Sequence, residues 1–574
     1  MQTESVERRG EAPLRRAGKG SHRRVGDVHV LSLAGSDHEM GRQHGELLAD
    51  EIRRGPIPYY RRIVEKLMGK GSLGPASKLV WPALQTTLGR RIAKNLPPHV
   101  RETIRGVAEG AGLDVQAFVD GCTMPDAMMW VAARAMQLKG HGPAVAHRVA
   151  LGLGCTSAVA WGDATVDGKL LHARNFDYHG VGCWPSNKAV LFHAPDRGQR
   201  FVSVASAGVA LGGITAMNEA GLTLTVHQHM FTDRTKLGGT PIGIVGDEVM
   251  REARDLDEAE RILGRHVPVG CWTYVVTDGN AREVLCWEEN PERRRAFRFR
   301  EESTFGYANV YLDEALGRSE VNLYGSYWRH NQGRHARVNA LLAERRGALD
   351  PQGMASILAD TGTGGCRIRD SIAMVMTVGS VVFRPEDGAL WVGTGEAPTS
   401  RGTFVPFSLA EGGHDPSKGE LTTGAIEDEG EREAFERFRQ SYVAYVDDGD
   451  VSRAHALLQE ACALAPSEPL YRSLRGLFAL ERGALDDAEE AFTEAIELGH
   501  VDPERRASFH LWRGRARDAA GARDAAVEDY RWALGFVADP PVRAAALRGM
   551  RRPFTRKQAQ RIHVDVGLAD VVSP

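Results

Sequence analysis

At Leu153-Gly154-Cys155-Thr156-Ser157 a cysteine stands between small residues at the head of the run AVAWGDATVDGKLLHARNFDY. Asp167-Gly168 is a turn signal between two alternating apolar stretches, and the second stretch ends in Arg174, Asn175 and Asp177. A hairpin closed at that turn returns this polar set to the side of Cys155. A thiol facing a guanidinium, an amide and a carboxylate can do nucleophilic catalysis, because a thiol needs a base and the base needs an orienting group. The same residues also read as an ordinary buried strand cysteine. His227 and His229 alternate onto one face of the strand GLTLTVHQH, which could begin a metal site. No third ligand accompanies them, so no metal or cofactor is expected, and the two histidines are expected to line a substrate pocket with Trp184 and Trp272.

The elements that must carry these residues change period along the chain. Residues 27 to 34 alternate as a strand, GSDHEMGRQHGELLADEIRRG reads as a turn into an amphipathic helix, and helical spacing continues to about residue 140. Short strands with Gly-rich turns run from Cys155 to about residue 225. Residues 241 to 265 read as helical, CWTYVVTDG and REVLCWEEN as a strand pair, RHARVNALLAERR as a helix, and SIAMVMTVGSVVFRPEDGALWVGTGEAP as two strands around Pro385 to Gly388. Alternating blocks of this kind predict an α+β fold.

The Gly- and acid-rich segment at residues 411 to 432 reads as a linker. Beyond it, over 433 to 550, Gly449, Gly483 and Gly521 are followed at equal offsets by Ala454, Ala488 and Ala526, then by Leu458, Phe492 and Tyr530, then by Ala461, Ala495 and Ala533. The repeat offsets are 34 and 38 residues, close to the period of tetratricopeptide helix pairs, so this part predicts a small helical solenoid. Its groove would take a protein or peptide partner, or the helices would pack as a cap on the body. Residues 551 to 574 form a C-terminal tail. Residues 1 to 26 are basic and polar without an apolar core segment, which reads as a disordered arm and not as a secretory signal.

The 72 basic and 75 acidic side chains nearly cancel, which argues against a nucleic-acid or polyanion binder. No apolar run approaches the roughly 18 residues of a membrane span. Seven cysteines, at 122, 155, 183, 271, 286, 366 and 462, are dispersed without CxxC pairs, as expected for a reducing, cytoplasmic compartment.

Three segments in order carry a family resemblance: GSDHEMGRQHG with Gly35, Glu39, Gly41 and Gly45; GCTSAVAWG through ARNFD; and MTVGSVVFRPEDGALWVGTGEAP. Residues 27 to 410 thereby resemble the acyl-coenzyme A:isopenicillin N (6-aminopenicillanic acid) acyltransferase family of N-terminal nucleophile hydrolases, peptidase family C45. The resemblance implies a four-layer αββα sandwich and a precursor that cuts itself between Gly154 and Cys155. Residues 27 to 154 would then be the propeptide or light-chain part, 155 to 410 the heavy-chain part, and the two would stay associated.

The resemblance also implies roles. Cys155 is the nucleophile for cleavage and turnover, its released α-amine is the base, and Asp177 orients that amine. Arg174 stabilises the thiolate or simply pairs with Asp177. Ser157, next to Thr156, assists precursor cleavage. Asn218 in AMNEAGL matches an Asn-Glu-x-Gly-Leu motif of the wider superfamily and would donate to the oxyanion, although it also suits a turn. Asn309 is the second donor, departing from the family pattern in its neighbours Ala308 and Val310. Arg334 is the first choice for the late catalytic arginine and Arg329 the second, with Gly333 where the family has serine. The expected reaction is cleavage of a linear amide of a small acylated molecule through a Cys155 thioester. Acyl transfer to an amine, with acyl-coenzyme A as a donor, is the alternative, and a non-catalytic scaffold working through the helical tail is a second one.

Overall fold

A computed structural model describes residues 14–69, 83, 85–137, 154–229, 232–321, 325–362, 371–423 and 428–571. The expectations for residues 1–13, for the end of the propeptide before Gly154 and for Cys366 lie outside the described residues. The strands in chain order are β1 (Arg15–Ala17), β2 (Gly20–Val25), β3 (Val28–Gly35), β4 (Gly154–Ala160), β5 (Leu171–Asp177), β6 (Lys188–Pro195), β7 (Phe201–Ser206), β8 (Thr215–Asn218), β9 (Leu222–Gln228), β10 (Trp272–Asp278), β11 (Glu283–Glu289), β12 (Arg294–Phe299), β13 (Thr304–Tyr307), β14 (Thr377–Arg384), β15 (Ala389–Gly393), β16 (Thr403–Ser408) and β17 (Gly413–His414). One sheet runs β1-β2-β3-β6-β7-β8-β9-β10-β11-β12 and the other β13-β4-β5-β14-β15-β16-β17. Neighbours are antiparallel except for β3 beside β6. Residues 15 to 25, read from sequence as part of a disordered arm, instead form two edge strands that pair into the first sheet.

The inner faces of the two sheets meet in two apolar clusters. Val190, Phe192, Val202 and Met217 of the first meet Val381, Phe383, Leu390 and Val405 of the second, and Val159 meets Val275 and Cys286 further along. Helices cover both outer faces. On one side α1 (Asp37–Leu47) and α2 (Pro98–Gly110) lie over Leu31, Leu33 and Leu191. On the other, α3 (Gly325–Glu344) and α4 (Pro351–Leu358) lie over Ala158, Leu171, Val382 and Trp391. β4 and β5 are therefore buried on both faces; GCTSAVA is small throughout, whereas LHARNFD buries the polar side chains of His172, Arg174, Asn175 and Asp177.

The GSDHEMGRQHG segment has a physical explanation. Ser36 and Glu39 form a capping box that starts α1. Gly41 and Gly45 let α1 touch α2: a Cβ added at Gly41 would lie 2.2 Å from Thr103 O, and one at Gly45 2.4 Å from Val107 O. These residues fix how the N-terminal helices seat on the sheet.

The C-terminal part consists of antiparallel helices, α5 (Glu429–Tyr442), α6 (Val451–Leu464), α7 (Pro469–Arg482), α8 (Leu485–Leu498), α9 (Pro503–Ala520), α10 (Arg523–Gly535) and α11 (Pro540–Arg551). The recurring glycines end helices in left-handed geometry, with φ of 71° at Gly449, 80° at Gly483 and 93° at Gly521. Helices α7 and α8 approach closely because Gly476 leaves room for Phe492, and Gly514 does the same for Tyr530 between α9 and α10. These helices pack on the body, and the chain end from Val564 to Val571 is buried among them. Among the described residues no helix is long and apolar enough to cross a membrane.

Candidate active site

The hairpin pairs β4 with β5 in the register Gly154 to Asp177, Cys155 to Phe176, Thr156 to Asn175 and Ser157 to Arg174. Gly168, with φ of 76°, supplies the left-handed turn. Strand alternation then turns Cys155 and Ser157 toward the first sheet and Thr156 toward α3.

Arg174 crosses between the sheets. Its guanidinium donates to Ile214 O at 3.0 Å, to Val226 O at 2.8 Å and to Cys155 Sγ at 3.3 Å. It does not spend these donors on Asp177, so of its two readings the thiol partner is the one realised. Burial pushes the Cys155 thiol up, the Arg174 charge pulls it down, and the net shift is upward.

Behind β4, Arg334 is fully buried on α3. It donates to Cys155 O at 2.8 Å, Thr156 Oγ1 at 2.9 Å, Asn331 Oδ1 at 2.8 Å and Asn309 Oδ1 at 3.2 Å. Asn309, held at φ of 53°, accepts from Cys155 N at 2.7 Å and donates to Gln228 O at 2.8 Å. Because the Cys155 N–H must donate, this pairing fixes which end of the Asn309 amide faces the cysteine. Asp177 accepts from Thr377 Oγ1 at 2.6 Å and lies 4.0 Å from Arg334. Its second oxygen has no hydrogen-bond partner among the described residues, and burial raises its carboxyl although Arg334 opposes this. Gly154 sits between them: a Cβ there would be 2.9 Å from Asp177 Oδ2 and 3.1 Å from Arg334 Nη2. Arg174, Asp177, Asn309 and Arg334 thus converge on Gly154 and Cys155.

Other expected site residues go elsewhere. Asn218 is at the far end of β8, where its amide donates to Met250 O at 3.2 Å and Ala253 O at 2.9 Å while its oxygen accepts from Leu222 N at 3.0 Å. It ties a turn to a helix and has no donor left for an oxyanion. Ser157 Oγ is 2.9 Å from both Thr225 Oγ1 and His227 Nε2, inside a polar seam between the sheets, so it faces these groups and not the Gly154 peptide. His227 belongs to that seam, and burial drives its pKa well down. His229 stacks on Tyr311 and bonds Glu320 and Thr273. Neither histidine lines the cavity described below. Arg329, the second choice for the late arginine, pairs with Glu504 and Asp539 of the helical tail.

An apolar cavity of about 130 Å³ opens on Cys155. Its walls include Phe176, Tyr178, Trp184 and Trp272 from the body and Tyr60 and Phe118 from the N-terminal part, and among the described residues no charged side chain lines it. The rings brace one another: Phe176 stacks on Tyr178 at 5.2 Å, and Trp184 Nε1 donates to Tyr60 Oη at 2.8 Å. A smaller cavity of about 30 Å³ shares Phe176 and Trp184 and reaches Arg174.

Sequence reasoning missed Thr377, Asn331 and Gln228. Asn331 was within reach, since it precedes Arg334 by one helical turn and so shares its face. Thr377 opens the strand that carries the third family segment, but only the β5–β14 pairing sets it opposite Asp177. Gln228 lines the cavity beside Cys155 and carried no signal of its own.

Two large, mainly antiparallel sheets between helical layers, with a buried cysteine at the head of a central strand, define an α+β protein consistent with an N-terminal-nucleophile type of fold. Residues 164–397 match the sequence model of the acyl-coenzyme A:6-aminopenicillanic acid acyl-transferase family, an enzyme family and the one that the sequence resembles. The matched span holds Arg174, Asp177, Asn309, Arg334 and Thr377; Cys155 lies nine residues before it. An uncharacterized protein of Archaeoglobus fulgidus is 29% identical over 266 residues, 44% of this chain and 42% of its own length. The chain therefore spans less than half the length of that relative.

Proposed function

We propose that this protein is an autoproteolytically activated cysteine amidohydrolase of the N-terminal nucleophile class, acting on linear amides whose acyl half is apolar. The observation that carries the reading is the enclosure of one peptide bond: Cys155 Sγ beside Arg174, Cys155 N on Asn309, and Gly154 against Asp177 and Arg334. In the precursor, Cys155 Sγ attacks the Gly154 carbonyl carbon and its proton passes to the departing Cys155 nitrogen. Water then hydrolyses the thioester, leaving a Gly154 carboxylate and a free Cys155 α-amine. An α-amine titrates near about 7.7 to 8.0 and so serves as a base at neutral pH without burial. Asp177 would hold it in place.

In turnover the amine takes the thiol proton, sulfur attacks the amide carbonyl, the ammonium protonates the leaving amine, and water releases the acid. Asn309 Nδ2 donates one hydrogen to Gln228 O and carries a second, which makes it the side-chain donor assigned to the oxyanion. The cavity would take the acyl half, because burying a charged group there has no compensating partner. Acyl transfer differs only in the second nucleophile, and the acyl-coenzyme A named in the matching family supports it as the alternative. The helical part reads as tetratricopeptide-like, supported by its helix pairs and recurring capping glycines. The unpaired state of every described cysteine supports a reducing, cytoplasmic setting.

Intact-mass analysis tests the reading. Purified protein is expected to yield a fragment beginning at Cys155 and to hydrolyse N-acyl anilides with apolar acyl groups, and Cys155→Ala is expected to abolish both. Splitting before residue 155 in Cys155→Ala would overturn the mechanism. An intact wild-type chain inert to thiol electrophiles would favour the scaffold reading.

A further inference from the structure

The helical extension touches the body where the cavity rings are held. Its first helix, α5, passes into a π-helical turn, Val443–Asp448, a geometry that often marks functional sites. From that turn Asp447 accepts a 2.6 Å hydrogen bond from Tyr59 Oη, and Tyr442 just before it lies 3.0 Å from His179 Nδ1. Tyr59 adjoins the wall residue Tyr60. His179 adjoins Tyr178, another wall residue, which itself follows Asp177. Between them lies the turn Gly180 to Trp184: a Cβ on Gly180 would be only 2.9 Å from Trp184, and Gly182 stands at ordinary contact distance from Asp447.

The chain end reaches the same wall from another direction. Arg505 of α9 donates to Leu568 O at 2.6 Å and Ala569 O at 2.8 Å, which seats the terminal segment against the helices. Gly567 then packs on Met376, where a Cβ would be 2.5 Å from the sulfur, and Met376 O accepts from Tyr178 N at 2.8 Å. The helical repeats are thus covered at Arg505 by the chain's own terminal segment.

We propose that the helical extension supports the wall of the acyl cavity from within the same chain, with Asp447 and Tyr442 as positioning residues that fix the size of acyl group the cavity accepts. The proposal rests on reading the cavity as the acyl site. Tyr59 is suited to the role, since burial and the neighbouring Asp447 keep its phenol protonated as a donor. Cutting the Tyr59–Asp447 contact frees the Tyr60–Trp184 bracket and so blurs the cavity without touching Cys155.

The test uses full-length protein and two probes with the same reactive group, iodoacetamide and N-hexyl iodoacetamide, with Cys155 labelling followed by mass spectrometry. Wild type is expected to react faster with the hexyl probe. In Asp447→Ala the hexyl-to-parent rate ratio is expected to fall about tenfold, as for one lost hydrogen bond to a charged group, with the parent rate unchanged. Tyr442→Phe is expected to lower the ratio in the same direction, and Asp447→Asn, which keeps an acceptor oxygen, to restore it. An unchanged ratio in Asp447→Ala, or a joint fall of both rates with a lower melting temperature, overturns the positioning role. A wild type that does not prefer the hexyl probe overturns the acyl-site reading itself, and the proposal with it.

Discussion

Replacing Gly154 with alanine adds one methyl group at the most confined point of the site. The new Cβ would lie 2.9 Å from Asp177 Oδ2, 3.1 Å from Arg334 Nη2 and 3.3 Å from Arg334 Cζ. Neither neighbour is a loose chain end. Asp177 is tied to Thr377, Arg334 is held by four acceptors, and both are fully buried. Relief must therefore come from a shift of one of these groups or of Gly154 itself, at a cost of about one charge-assisted hydrogen bond, roughly 1.5–3 kcal/mol. If that cost falls on the cleavage transition state, self-processing slows by roughly 10- to 100-fold. After cleavage, residue 154 is a chain end free to leave, so the matured fraction should turn over substrate at the wild-type rate. A time course of intact mass during refolding or cell-free synthesis gives the processing rate, and active-site titration normalises turnover. Wild-type processing in Gly154→Ala would refute the enclosure argument, as would slow turnover by fully processed enzyme.

Arg334→Lys keeps the charge but replaces a planar fork by one nitrogen that cannot reach four acceptors on a strand, a loop and a helix, so processing is expected to slow by about 100-fold, equivalent to about 2.7 kcal/mol. Processing at the wild-type rate would remove Arg334 from the mechanism. Asn218→Ala is expected to lower stability by about 1–3 kcal/mol, because Met250 O and Leu222 N lose the partner the asparagine supplies and Ala253 O is left with Gln199 Nε2, while kcat of the folded enzyme holds. A fall in kcat of about 100-fold at unchanged melting temperature would restore it as an oxyanion donor. Asp126 is buried with Ile242 N as a donor, and burial pushes its carboxyl up to about 7 from an ordinary 3.8. Its stabilising contribution is present below pH 3.8 and is lost as pH rises through about 7. The melting temperature of Asp126→Asn should consequently decline less than that of wild type across that interval, and parallel declines would contradict the assignment.

Local patterns determined a good deal. The β4–β5 hairpin is specified by its turn and its alternation, so Cys155 and the Arg174-to-Asp177 set could be brought together from sequence alone. The helical repeats were legible for the same reason, since each glycine ends its own helix. Arg334 and Asn309 were found through the family resemblance, not through any local signal. What the sequence could not determine was how separate elements meet. AMNEAGL reads as a site motif, yet its asparagine is consumed by the turn it makes and by α-helical carbonyls next to it. His227 and His229 alternate onto one face, but that face is the seam between two sheets and not the cavity wall. Residues 15 to 25 look like a polar arm, and pairing with β3 makes them strands. Likewise the helical tail shows its period without showing what it packs against. Hydrogen bonds within a turn or helix are fixed by neighbours in the chain, whereas the choice between cavity, seam and interface depends on which surfaces are buried together, and only the packed sheets and the docked tail decided that.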